Sequence, residues 1–161
     1  MRINATDERK CGDCYSCCEV LKIEELKSSN YDKCKYASCN GCSIYEKRPL
    51  PCVSYKCMWL TGLGEENQRP DKLGLIFDHN DDKFSKKFRS IAKFDLMIAR
   101  ETFLGASQTK RGRKFLTSLK KKCPIYLFRA DGTNKVIAKN EKLKEKVIKI
   151  INKAVLNCIE E

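Results

Sequence analysis

Nine of the chain's 11 cysteines fall between Cys11 and Cys57, and only Cys123 and Cys158 lie beyond. Thiols spaced this densely, among turn formers at Gly12, Asn40-Gly41, Pro49 and Pro51, leave no room for a regular sheet. Residues 11–60 must therefore be held together largely through sulfur, by disulfides or by metal. An odd cysteine count leaves one thiol over in an all-disulfide scheme. The opening MRINATDERK lacks the apolar core of a signal peptide, so the chain reads as cytoplasmic, where thiols stay reduced and metal ligation is favoured.

The spacing is C-x2-C-x2-C-C at Cys11, Cys14, Cys17 and Cys18, then Cys34-x4-Cys39-x2-Cys42, then Cys52-x4-Cys57. A two-residue gap lets one tight turn bring two thiolates onto one ion, as in zinc and iron–sulfur sites. Soft sulfur donors select Zn2+, Cu+ or iron–sulfur clusters over Mg2+ or Ca2+. The one histidine, His79, lies outside the cluster, so a zinc site here is all-sulfur. Side chains of neighbouring residues diverge in most backbone conformations, so Cys17 and Cys18 serve different ions more naturally than one. Eight ligands fill two four-cysteine zinc sites or two cluster sites. Cys123 and Cys158 sit in apolar patterns and read as small buried hydrophobes.

The blocks CGDCYSCC, GCSIYEKRP and C-x4-C-M-W-L together resemble the CxxCxxCC zinc- or iron-chelating (YkgJ-like) family over about residues 11–60. That resemblance implies the ligand set Cys11, Cys14, Cys17, Cys18, Cys34, Cys42, Cys52 and Cys57. Cys39 stands outside the family pattern, yet its tighter spacing to Cys42 leaves open that it replaces Cys34. Pro49 and Pro51 stiffen the approach to Cys52, and the Arg48 guanidinium offsets thiolate charge. Trp59 is expected to pack over the site.

At 161 residues, the chain is the size of one ordinary domain. No window approaches the apolar length of a membrane span. We divide it into a cysteine-rich region (1–60, its first ten residues a loose lead-in), a polar Gly-rich linker (61–72) and a small basic region (73–161) packed with the rest as one unit. In the first region a helix is expected from Cys18 to Ser28. In the last, strands are expected at Leu73–Asp78 and Pro124–Phe128, with a return strand at Val136–Ala138. A turn at 79–82 and one or two strands within Phe84–Glu101 complete the sheet. Helices are expected over Lys110–Lys122, burying Phe115, Leu116 and Leu119, and from an Asn140 cap onward, burying Leu143, Val147, Ile150, Ile151, Ala154 and Cys158. The fold class is α+β: an irregular metal-stapled N-terminal region followed by a small antiparallel sheet with two covering helices.

Charge adds the final constraint. The net charge is +12, and residues 83–122 carry thirteen Lys or Arg against Asp95 and Glu101, a balance of +11. Lys83, Lys86, Lys87, Arg89 and Lys93 precede Lys110, Arg111, Arg113, Lys114, Lys120, Lys121 and Lys122. The last seven are the candidate nucleic-acid-binding residues, for nucleic acid or a ribonucleoprotein, with a protein partner as the alternative. The aromatic residues among them, Phe84, Phe88 and Phe94, are spaced for a core. No nucleophile–base pair, carboxylate dyad or phosphate loop accompanies the cysteines. The expected function is a zinc-holding binding or scaffold module whose basic face meets a polyanion or protein. The alternative is an iron–sulfur protein with redox or modification activity.

Overall fold

A computed structural model describes residues 9–78, 83–92 and 94–159, apart from the side chains at 83–85, 87 and 156–159. The lead-in residues 1–8, the turn expected at 79–82, Lys93, the Lys83, Phe84 and Lys87 side chains and the Cys158 side chain lie outside the described residues.

Along the chain, α1 (Cys17–Val20) is followed by the short hairpin β1 (Ala37–Ser38) and β2 (Gly41–Cys42), then α2 (Leu50–Ser54) and α3 (Pro70–Leu73). The second half runs β3 (Leu75–Asp78), α4 (Lys83–Ala92), β4 (Met97–Glu101), α5 (Lys110–Leu119), β5 (Ile125–Phe128), β6 (Asn134–Ile137) and α6 (Glu141–Ile159). The fold is α+β, with a two-stranded antiparallel sheet and a four-stranded mixed sheet of order β3-β4-β5-β6.

The second sheet departs from the antiparallel expectation: β4 and β5 pair in parallel, Met97 opposite Ile125 and Arg100 opposite Phe128. Parallel neighbours need a crossover, and α5 supplies it. Three helices rather than two cover this sheet. Ile98, Tyr126 and Val136 face α4 and α6 through Phe88, Ala92, Val147 and Ile151. Leu75, Phe77, Ala99, Ile125 and Leu127 face α5 through Phe115, Leu116 and Leu119.

The segment expected as strand from Phe84 is α4. Phe88 and Ala92, four apart, are both buried, which is the helical period; alternation begins only at Leu96. The helix expected over Cys18–Ser28 is broken. It stops at Leu21, which is extended, and resumes as one 3-10 turn at Glu24–Leu26 ended by left-handed Lys27. Leu21 and Lys22 thus leave the helix and line the same cavity as the cysteines.

α5 begins at an N-cap, with the Gly112 amide donating to Thr109 Oγ1 at 3.0 Å. It ends at Leu119, so Lys120–Lys122 form a turn beyond it. Asn140 caps α6 as expected, accepting from the Leu143 amide at 2.9 Å. Residues 61–73 hold turns, a 3-10 turn and α3, and bury Leu63 and Leu73 in the core under α5. The cysteine segment packs on the far end of the α4/α6 face: Val20, Cys57 and Trp59 bury Ile76 of β3. Phe88 stacks edge-on against Phe94 at 5.8 Å, confirming both as core rings.

Candidate metal centre

Local turns set each thiol. The Cys14 amide donates to Cys11 O at 3.0 Å, closing the first C-x2-C knuckle, and the Cys18 amide donates to Tyr15 O at 2.8 Å. Cys34 is brought in across the chain by its amide bonding to Cys18 O at 2.8 Å. Gly41, at φ +97°, returns the hairpin to Cys42, and a Cβ there would stand 3.0 Å from Gly12 O. Glycine is what lets the hairpin close onto the knuckle. Pro49 and Pro51 start α2, and the Cys52 amide donates to Pro49 O at 2.9 Å.

Cys11, Cys14, Cys17, Cys18, Cys34, Cys42 and Cys52 line one chamber of about 300 Å³. Cys57, 7% exposed, lies beneath it beside Cys17 and Val20. Cys39 points elsewhere: it is exposed and lines a different cleft with Glu19, Asp71 and Phe103. Between the two candidates left open by spacing, the chamber takes Cys34. Cys123 is half-buried at the start of β5, away from the cluster.

The thiols influence one another across the chamber. Cys11 feels Cys14 and Cys18, Cys17 feels Cys18, Cys11 and Cys14, and Cys57 feels Cys11 and Cys14. Cys52 feels Cys18, Cys34 and Cys42. The adjacent Cys17 and Cys18 have their sulfurs 4.0 Å apart. The hydrogen bond from Cys17 lowers the Cys18 thiol below its usual value, and the same bond, with burial, pushes Cys17 up. Burial raises Cys11, Cys14 and Cys52, and raises Cys57 to about 11.

Arg48 lies beside these sulfurs, lining the chamber with its guanidinium over the Tyr45 ring at 3.7 Å. It lowers Cys11, Cys18 and Cys52, though burial outweighs it at Cys11 and Cys52. Its Nε is buried without a hydrogen-bond partner among the described residues. A donor left unpaired at the edge of a thiol chamber suits thiolates, which accept from it. Trp59, expected to pack over the site, lies outside the chamber lining in the cluster of Val20, Cys57 and Ile76, 5% exposed, its Nε1 donating to Glu65 O at 3.0 Å. Among the described residues, no group of three or more His, Cys, Asp or Glu side chains is arranged to hold a metal ion. The donor chemistry suits a soft metal, while the sulfurs stand around the chamber rather than closed on a point.

No family model, curated protein or solved structure matches the chain.

Other polar groups at the site escaped the sequence reading. The Tyr55 hydroxyl, on the chamber wall, donates to Asp78, which also receives Arg100. Arg9 donates to Trp59 O at 3.0 Å and Gly64 O at 2.9 Å, with its guanidinium 5.0 Å over the Trp59 ring. No local spacing signals these partners, because each contact joins distant segments.

The candidate nucleic-acid residues Lys110, Arg111, Arg113 and Lys114 stand exposed on α5, with Lys121 and Lys122 exposed beyond its end and Lys120 half-buried. The basic stretch 83–122 is not one surface: α4 and α5 pack on opposite faces of the sheet. Among the described residues, no helix is long and apolar enough to cross a membrane.

Proposed function

We propose that the chain is a cytoplasmic metal-holding module with two four-thiolate zinc centres, Cys11–Cys14–Cys17–Cys57 and Cys18–Cys34–Cys42–Cys52. Its α5 surface meets a polyanion, nucleic acid or a ribonucleoprotein, with a protein partner as the alternative. The observation that carries the metal reading is the gathering of seven thiols around one chamber, with Cys57 beneath it and Cys39 turned away. Cys57 feels Cys11 and Cys14, and Cys52 feels Cys18, Cys34 and Cys42, which supports the division into two sets, with Cys18 acting on Cys11 and Cys17 across the split. Resemblance of the motif blocks to the CxxCxxCC family points the same way.

Closed all-cysteine zinc sites serve structure, and bound zinc would fix the turns that here carry little regular hydrogen bonding. Each such centre has net charge −2, which Arg48 partly balances. A second reading is an iron–sulfur centre with redox or modification activity, favoured by one observation: a chamber of about 300 Å³ is larger than a single ion needs. Anaerobic purification with elemental analysis and a visible spectrum tests both. Colourless protein with about two zinc ions per chain is expected. Brown protein carrying iron and sulfide overturns the zinc reading in favour of the cluster.

A further inference from the structure

A second cleft lies far from the cysteines in the fold's topology, between α5, the β5–β6 hairpin and the start of α6, with a volume of about 400 Å³. Its walls carry Arg113 and Lys120 from α5 and the turn beyond it, Arg129 and Lys135 from the hairpin, and Lys144 from α6; no acidic residue lines it. Arg113 and Thr117 stand one helical turn apart on α5, and Lys120, its C-cap in helical conformation, continues the same edge toward β6. Lys135 stands opposite Leu127 in the β5–β6 register and so projects from the same sheet face that α5 covers. The floor is formed where α5 meets the sheet, by buried Leu116 and Leu127 and half-buried Ile137.

Two of the five cations have partners at the rim, Arg129 with Asp131 at 3.1 Å and Lys144 with Glu141 at 2.7 Å. Arg113, Lys120 and Lys135 form no ion pair among the described residues. Three successive elements thus converge three cations outside any ion pair and two ion-paired ones on one concavity. Holding like charges together costs energy that a bound anion recovers, and a cleft focuses that field more than a flat face does. A single carboxylate is too small and too weakly charged for this arrangement. Several phosphate groups match it, with guanidinium forks for their oxygens. Half-buried Ile137 offers an apolar contact for a ring or sugar, and the volume is in the range of small-ligand sites, roughly 300–1,000 Å³.

We propose that this cleft binds the oligophosphate of a nucleotide, either free as a nucleoside triphosphate or as consecutive phosphates of an RNA strand. This goes beyond the polyanion contact of the α5 surface: it moves recognition from the exposed helix to a built concavity and adds Arg129, Lys135 and Lys144 to it.

The test uses the full, metal-loaded chain, with metal content assayed in every sample. Tripolyphosphate, adenosine triphosphate and a short fluorescent single-stranded RNA are titrated at low and moderate salt. One variant is Arg129→Gln with Lys135→Gln, in the cleft. The comparison variant is Lys110→Gln with Lys114→Gln, on the same helix but outside the cleft. We expect the cleft variant to lose binding about tenfold or more, while the comparison variant changes by less than about twofold, since charge-assisted hydrogen bonds are lost only in the first. Cleft-dependent binding of adenosine triphosphate assigns the free nucleotide as the source, and cleft-dependent binding of RNA alone assigns the strand. Equal losses in the two variants overturn the cleft and leave a diffuse basic surface as the contact. Absence of binding by all three probes overturns the cleft and that surface together, and neither result bears on the metal content.

Discussion

Single residues carry two sharply testable consequences. Glu101 is fully buried, and its carboxylate accepts from the Ser107 amide at 2.8 Å and the Ala130 amide at 3.1 Å. Burial alone would raise its pKa, but these hydrogen bonds prevail and hold it below the ordinary 4.5. A depressed folded-state pKa contributes stability that is present above the unfolded value and lost as pH falls through the folded one. Urea unfolding should therefore show stability falling below about pH 4.5, and Glu101→Gln should remove this component while costing about 1–3 kcal/mol at neutral pH. The second consequence concerns Cys34 and Cys39. Cys34→Ser should lower metal content, and Cys39→Ser should leave it unchanged; the reverse pattern in elemental analysis would move the ligand to Cys39. That the cysteines between Cys11 and Cys57 gather was legible in sequence because thiol spacing is local. That Cys34 and not Cys39 lines the chamber was not legible from spacing, since it depends on the Cys34 amide bonding to Cys18 O, a contact between separate turns.

At the level of elements, helices with one clear apolar face and a polar cap were readable, as α5 and α6 show. The stretch 84–101 was not, because a helical period in its first half runs into a strand alternation in its second, and the two blur when averaged. Parallel pairing of β4 with β5 was also invisible, since nothing in either strand records that α5 carries the chain back across the sheet. α5 itself depends on a close approach: a Cβ at Gly112 would meet Ala106 O at 2.3 Å. Gly112→Ala should thus destabilise the protein by about 1–3 kcal/mol despite the better helix propensity of alanine, measurable as a lower urea midpoint. A neutral result would show that the turn at 106–109 yields easily.

Across the whole molecule, the cysteine segment and the sheet meet at Trp59, the single tryptophan of the chain. It packs with Cys57 and Val20 on one side and Ile76 on the other. Chelation under reducing conditions should shift its fluorescence to the red as residues 9–60 loosen, while most far-ultraviolet helical signal persists, because α4, α5 and α6 rest on clusters of their own. Unchanged emission would mean that metal does not hold this junction.

The Met58 amide donates to Phe77 O at 2.8 Å, and β3 is the outermost strand of its sheet. The other border, β6, presents exposed Asn134 and Lys135, a charged edge that discourages pairing with another chain. β3, reading Leu-Ile-Phe-Asp, is apolar up to Asp78, whose charge is engaged by Arg100; the cysteine segment is its guard. When that segment is released, the strand becomes an open template for a second copy. Damage at the thiols should accordingly appear as self-association and lost solubility before it appears as lost secondary structure.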